Sequence, residues 1–335
     1  MEVDKYNFRE VILNSVKQLD VDFEFFSQLR LMRRPFKKIV FCGMGGSALV
    51  GDFFSYFKNK NYLPLLPKLP IIVHRSYDLP DDVDENSLII CLSYSCQTEE
   101  TISAFNRARA GHLEIAGVTC GGKLAELFEQ NKIPWVKIPR PDIPPRASLG
   151  YQLGALVKIL MAYGLLSSWA QNEISALSQK ISPASSENAA RDFCVKLANK
   201  MPVIYASTDN ELLARLFKIK FNENTKIPSF YNSIPELNHN EMVGWTRNLG
   251  PFYFLFLRDS DDLPRIKKRM DLTADLLRKS HLPLDFIDLK GLTPLEKLFW
   301  ASAFGDWLSY HLALFYGVDP TPVEIVEEFK KKMNE

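Results

Sequence analysis

The chain has 335 residues, 46% of them hydrophobic, with 41 lysines and arginines against 40 aspartates and glutamates. At about 100–200 residues per domain, that apolar content supports two domains with large cores, and the near balance of charge excludes a global field able to recruit nucleic acid or an anionic membrane. The five cysteines (Cys42, Cys91, Cys96, Cys120 and Cys194) form no CxxC pair, which argues against a disulfide framework or a thiolate metal centre and for a reducing, cytoplasmic setting.

The opening "MEVDKYNFRE" is charged and lacks a signal peptide's apolar core, and no apolar run approaches the ~20 residues that span a bilayer, so a soluble protein is expected. In "YNFREVILNSVKQL" the spacing of Phe8, Val11, Ile12, Val16 and Leu19 predicts one docking helix ahead of the first sheet. Short apolar runs follow at 38–42, 70–74, 87–92, 113–119 and 134–138, mostly separated by helical segments, the pattern of parallel strands buried on both faces. The proline-rich "PRPDIPPR" (139–146) precedes an amphipathic helix beginning at "SLGYQLGALVKIL". A second cycle places strands at 202–207, 252–257 and 284–289 and helices at 209–224, 262–280 and 294–315. The expected fold is two doubly wound parallel-sheet α/β domains, residues 1–165 and 166–335, divided near the polar "SQKISPASSENAA".

Two strand-to-helix turns carry candidate chemistry. "FCGMGGSALVGD" runs from a strand into glycines that permit close backbone approach, and Ser47 is positioned to cap a helix whose amides attract an anion. A dinucleotide site fits poorly, since the spacing is not G-x-G-x-x-G and no acidic residue closes the next strand. "SYSCQTEET" follows the strand "SLIICL" with three hydroxyls in six residues, Ser93, Ser95 and Thr98; Thr98 reads as the helix cap, and capping alone leaves the two serines without a task. Two such turns at strand carboxyl ends point to a phosphate site.

"GMGGSALVGD" and "SYSCQTEET" resemble the two hallmark loops of the sugar isomerase (SIS) domain, and "PPRASLGY" resembles the segment after its last strand. "NENTKIPSFYNSIPELNHNEMVGW" (222–245) and "GDWLSYHLALFYGVDPTPVE" (305–324) resemble the bifunctional phosphoglucose/phosphomannose isomerases. The resemblance implies an aldose–ketose isomerase that interconverts glucose 6-phosphate and mannose 6-phosphate with fructose 6-phosphate through a cis-enediolate. It implies phosphate binding by Gly45, Gly46, Ser47, Ser93, Ser95 and Thr98. Glu223 is then the proton-shuttling base, His239 the ring-opening acid–base group, and Arg146 the cation beside the enediolate oxygen. It further implies that Thr321 leaves room for mannose 6-phosphate, that Lys330 stands near the substrate, and that His239 reaches the site from the partner subunit of a homodimer.

From the residues alone, Glu223 reads first as a solvated glutamate at a helix end, the commoner fate of a lone glutamate, while Arg146 could be a salt-bridging cation and "PTPVE" a helix start with Pro322 in its first turn. His239 lies between polar residues, which disfavours a packed core histidine, and an imidazole suits proton transfer near neutral pH. No ligand-spaced pair of histidines is present, so no metal is expected, and the resemblance implies no organic cofactor. The competing expectation is a non-enzymatic phosphosugar-binding SIS regulator. Relatives commonly read S-Y-S-G-N-T where this chain has Cys96 and Gln97. The cysteine adds a side chain where glycine would accept positive φ, and beside a helix N-terminus it reads as a reactive thiol that substrate would shield.

Overall fold

A computed structural model describes residues 3–27, 35–139 and 142–333. The chain forms two compact units, one of residues 14–181 and the other of residues 1–13 with 182–335. Helix α1 (Phe8–Leu13) buries Phe8 and Ile12 and belongs to the second unit, whereas Val16–Asp20 form a 3-10 turn of the first. The single docking helix expected from the apolar spacing is therefore two pieces, interrupted at Asn14 and Ser15, residues whose side chains compete with helical hydrogen bonding.

The first unit is built on a six-stranded sheet in the order β1-β6-β5-β4-β2-β3. Its strands are β1 (Glu24–Phe26), β2 (Lys38–Cys42), β3 (Ile71–His74), β4 (Ser87–Ser93), β5 (Glu114–Thr119) and β6 (Trp135–Lys137), all parallel to their neighbours except β1, which runs antiparallel to β6. Helices α2 (Gly45–Asn59), α3 (Glu99–Ala110), α4 (Gly122–Gln130), α5 (Leu149–Ala162) and α6 (Ser168–Lys180) complete it. Every residue of β4 is buried, which is why its sequence is a continuous apolar run rather than an alternation. The 3-10 turn at Val16–Asp20 packs against α5 and α6, and this contact keeps residues 166–181 in the first unit rather than the second.

The second unit has a four-stranded, wholly parallel sheet in the order β10-β9-β7-β8, formed by β7 (Met201–Ser207), β8 (Phe230–Ile234), β9 (Phe252–Arg258) and β10 (Leu284–Asp288). Its helices are α7 (Glu187–Cys194), α8 (Glu211–Lys220), α9 (Glu241–Gly244), α10 (Pro264–Lys279), α11 (Pro294–Phe315) and α12 (Glu324–Met333). All eight expected strands are present to within one residue at each end. The two that the sequence does not announce, β1 and β8, are edge strands without an apolar run: β1 has only exposed and half-buried residues, and β8 buries only Ser233 and Ile234. Helix α12 begins at Glu324, so Pro322 precedes the helix instead of occupying its first turn. The orders β5-β4-β2-β3 and β10-β9-β7-β8 match strand for strand, a repeat of topology that the sequence does not display. Among the described residues no helix is long and apolar enough to cross a membrane.

Close packing in the first sheet is concentrated at Gly117 of β5, where a Cβ would stand 2.0 Å from the ring of Phe128 on α4. A Gly117→Ala substitution is therefore expected to lower unfolding stability by about 1–3 kcal/mol through overpacking. Urea titration checks this, and an unchanged midpoint would contradict it.

Candidate active site

In a parallel sheet the strand carboxyl ends share one edge, and crevices form there between adjacent crossovers. β2 and β4 are neighbours, and each runs directly into one of the two turns singled out above. Gly45 adopts φ +51° at the start of α2, and the N-cap residue, Met44, makes no side-chain cap. Ser47 lies in the first turn and does not cap the helix as expected; its buried Oγ accepts the Tyr94 N–H at 3.2 Å and so ties the two turns together.

Thr98 occupies the N-cap position of α3, but its hydroxyl makes no cap bond. It stands 2.9 Å from Ser93 Oγ and 3.0 Å from Ser95 Oγ, while the two serine oxygens are 3.4 Å apart. Three hydroxyls thus face one another, each able to donate or accept, at the N-terminus of a helix whose dipole favours an anion. Cys96 has φ +71°, the conformation that favours glycine, at a cost of about 1–3 kcal/mol for a residue with a side chain. Its side chain is only 1% exposed, with Sγ donating to the Tyr94 carbonyl at 3.3 Å. The expectation of a reactive thiol is overturned, because the sulfur is turned inward from the loop.

Arg146 is 4% exposed, in the 3-10 turn Pro145–Ala147 that precedes α5. A Cβ on Gly46 would come within 2.8 Å of the Pro145 carbonyl oxygen, so glycine lets this turn rest directly on the start of α2. Gln18 fixes the turn from the other side: its Nε2 donates to the Ala147 carbonyl at 2.7 Å and its Oε1 accepts the Gly150 N–H at 3.0 Å. Nothing in the sequence marks Gln18, which reads as one more polar position in an amphipathic segment.

The remaining candidates belong to the second unit. The helix expected over 209–224 is α-helical only to Lys220 and continues as a π-helical turn, Phe221–Thr225, with Glu223 half-buried at its centre. Lys226, at φ +63°, ends the turn; its Nζ donates to the Glu223 carbonyl and, at 3.2 Å, to the carbonyl of Pro320. That lysine joins the Glu223 turn to the segment carrying Thr321, whose own N–H is accepted by Asp319 Oδ1 at 2.9 Å.

His239 closes the 3-10 turn Glu236–His239 and is exposed. The turn is anchored by buried Leu237 and by Asn238, whose Nδ2 donates to Thr273 Oγ1 at 2.8 Å, leaving the imidazole at the surface. Of its flanking glutamates, Glu236 accepts from Asn240 Nδ2 at 2.8 Å, and Glu241 accepts from Asn232 Nδ2 and, at 2.5 Å, from Tyr205 Oη. Burial and then the Glu241 contact push the Tyr205 phenol well above its ordinary value. Among the described residues no group of three or more histidine, cysteine, aspartate or glutamate side chains is arranged to hold a metal ion. Lys330 lies on α12, which buries none of its residues, and its ammonium donates to Glu327 at 2.7 Å on the same helix.

This architecture is that of the SIS-type phosphosugar enzymes. It matches the C-terminal domain of glucosamine-fructose-6-phosphate aminotransferase from Francisella tularensis with a TM-score of 0.66 over 95% of this chain and 96% of that one, at 15% identity. Residues 186–333 match the family description "Bacterial phospho-glucose isomerase C-terminal SIS domain". The bifunctional phosphoglucose/phosphomannose isomerase of Caldicellulosiruptor bescii is 36% identical over 310 residues, 89% of this chain and 90% of that protein. The enzyme of the same name from Aquifex aeolicus is 31% identical over 304 residues, 89% of this chain and 91% of its own. The chain belongs to the bifunctional phosphoglucose/phosphomannose isomerase family.

Burial of Cys96 predicts that iodoacetamide leaves it unlabelled in the native protein for as long as the fold holds, with labelling only on denaturation. Mass spectrometry of the labelled peptide reads this directly, and rapid native labelling at Cys96 would contradict the inward orientation.

Proposed function

We propose that the protein is a metal-independent aldose–ketose isomerase that interconverts glucose 6-phosphate and mannose 6-phosphate with fructose 6-phosphate. The observation that carries this reading is the cluster of Ser93, Ser95 and Thr98 hydroxyls at a helix N-terminus, in a chain 36% identical to an enzyme named for both activities. Hydroxyls and helix amides bind a phosphate dianion without a lysine. In this reading the three hydroxyls turn outward to the phosphate oxygens, joined by Ser47 and by the backbone at Gly45 and Gly46.

His239 moves the proton between the ring oxygen and the anomeric hydroxyl and so opens the sugar. Glu223, as carboxylate, then removes the C2 proton of the aldose and returns it to C1, while the hydroxyl proton passes from O2 to O1 across the cis-enediolate. Arg146 supplies fixed positive charge for the oxygens that become negative in that intermediate. The half-buried setting of Glu223 supports its role, since a carboxylate held rigidly can approach one face of the sugar. Thr321, tied by its neighbour Pro320 to the Glu223 turn, is the small residue that gives space for the rotation about C2–C3 that mannose 6-phosphate requires. Lys330 has Glu327 as its partner, and no step is assigned to it.

The exposed imidazole, on a turn anchored from beneath, supports a homodimer in which His239 serves the partner's site. Five free and buried cysteines fit a cytoplasmic location.

Coupled assays of fructose 6-phosphate formation from each aldose phosphate, with chelator present, test the reaction, and activity on neither substrate would refute it. Glu223→Gln is expected to lower kcat by about 10²–10⁴-fold; turnover near that of the wild type would remove Glu223 from the mechanism.

A further inference from the structure

The π-helical turn that carries Glu223 needs a cause, because such turns are rare and an α-helix of this sequence could simply have continued. The residues on either side of Glu223 are fixed to one partner helix. Three residues before it, Lys220 Nζ meets Asp306 Oδ2 at 2.5 Å. One residue after it, Asn224 Nδ2 donates to the other oxygen of the same carboxylate at 3.3 Å and to Ser309 Oγ at 2.9 Å. Thr225 Oγ1 then donates to the Ser309 carbonyl at 2.8 Å. Asn224 and Ser309 are fully buried, and a Cβ on Gly305 would press on the Lys220 chain at 3.1 Å, so α11 leaves a channel for that lysine.

A buried ion pair is a poor device for stability alone, since well-packed apolar residues in its place are often as stable or more so. Its two oxygens instead do something apolar groups do not: they fix the spacing between Lys220 and Asn224, the residues that bracket Glu223. We infer that Asp306 and Asn224 are positioning residues for Glu223, holding its backbone in the π turn so that the carboxylate keeps one orientation toward the sugar carbons. The inference rests on the reading of Glu223 as the base.

The test uses the full chain with Asn224→Ala, Ser309→Ala, Asp306→Asn and the double variant Lys220→Met/Asp306→Leu, the last exchanging the ion pair for apolar packing. Glu223→Gln is the control. The expected result is a kcat for glucose 6-phosphate lowered by about 10–100-fold in Asn224→Ala and in the double variant. KM should change little, because the phosphate-binding hydroxyls belong to the other unit, and the primary isotope effect on glucose 6-phosphate deuterated at C2 should rise as proton transfer becomes limiting. If a folded double variant, Asn224→Ala and Ser309→Ala all keep wild-type kcat and isotope effect while Glu223→Gln is inactive, the positioning role is overturned and the network is only structural. A fall in kcat with an unchanged isotope effect overturns it equally. If Glu223→Gln itself remains active, the base assignment fails first and the positioning role falls with it.

Discussion

The Pro145 carbonyl oxygen lies 2.8 Å from where a Cβ on Gly46 would stand, and that close approach sets how near the Arg146 turn comes to the start of α2. The hydrogen bond from the Tyr94 amide to Ser47 links the same helix start to the loop of three hydroxyls. Three segments far apart in sequence, around residues 46, 94 and 146, thus meet at the carboxyl ends of β2 and β4. A side chain at residue 46 would push one of them away. The placement of the hydroxyl loop and of the buried arginine beside the start of α2 depends on that contact.

The parts of this arrangement that were legible in the sequence are those set by local rules. Strands buried on both faces announce themselves as apolar runs, and helix α10 by its spacing, because burial acts on each residue separately. Edge strands β1 and β8 escaped because neither carries a continuous buried apolar run. The helix read from Phe8 to Leu19 failed where Asn14 and Ser15 interrupt it and its two ends join different units. At the site, the residue types of the hydroxyl loop were readable and its geometry was not: Thr98 has the cap position but spends its hydroxyl on the serines. Gln18 and Asp306 were invisible because each acts on residues more than 80 positions away, through contacts that no periodicity records.

The matching strand orders of the two units give the hydroxyl loop a counterpart. After β9 the second unit has Asp259, Asp261 and Asp262 where the first has Ser93, Ser95 and Thr98 after β4. Lys297 Nζ is 2.5 Å from both Asp259 and Asp261, and Asn210 donates to Asp259 and Asp262. These contacts tie the carboxylates into an ionic and hydrogen-bonded cluster where the first unit has neutral hydroxyls. The same topology therefore carries a cluster of hydroxyls in one unit and an ionic cluster in the other. In the proposed mechanism the second unit contributes instead through the turn after α8 and the loop after β8.

The claim that the hydroxyl loop is the phosphate grip is tested most directly by calorimetric titration of fructose 6-phosphate into the wild type and into a Ser93→Ala/Thr98→Ala variant. Two hydroxyls bonded to a charged phosphate contribute about 3 kcal/mol or more, so the account predicts one site per chain in the wild type and an affinity roughly 100-fold weaker in a variant that still folds. Equal affinity in the two proteins, or a second site of comparable strength on the wild-type chain, would contradict it.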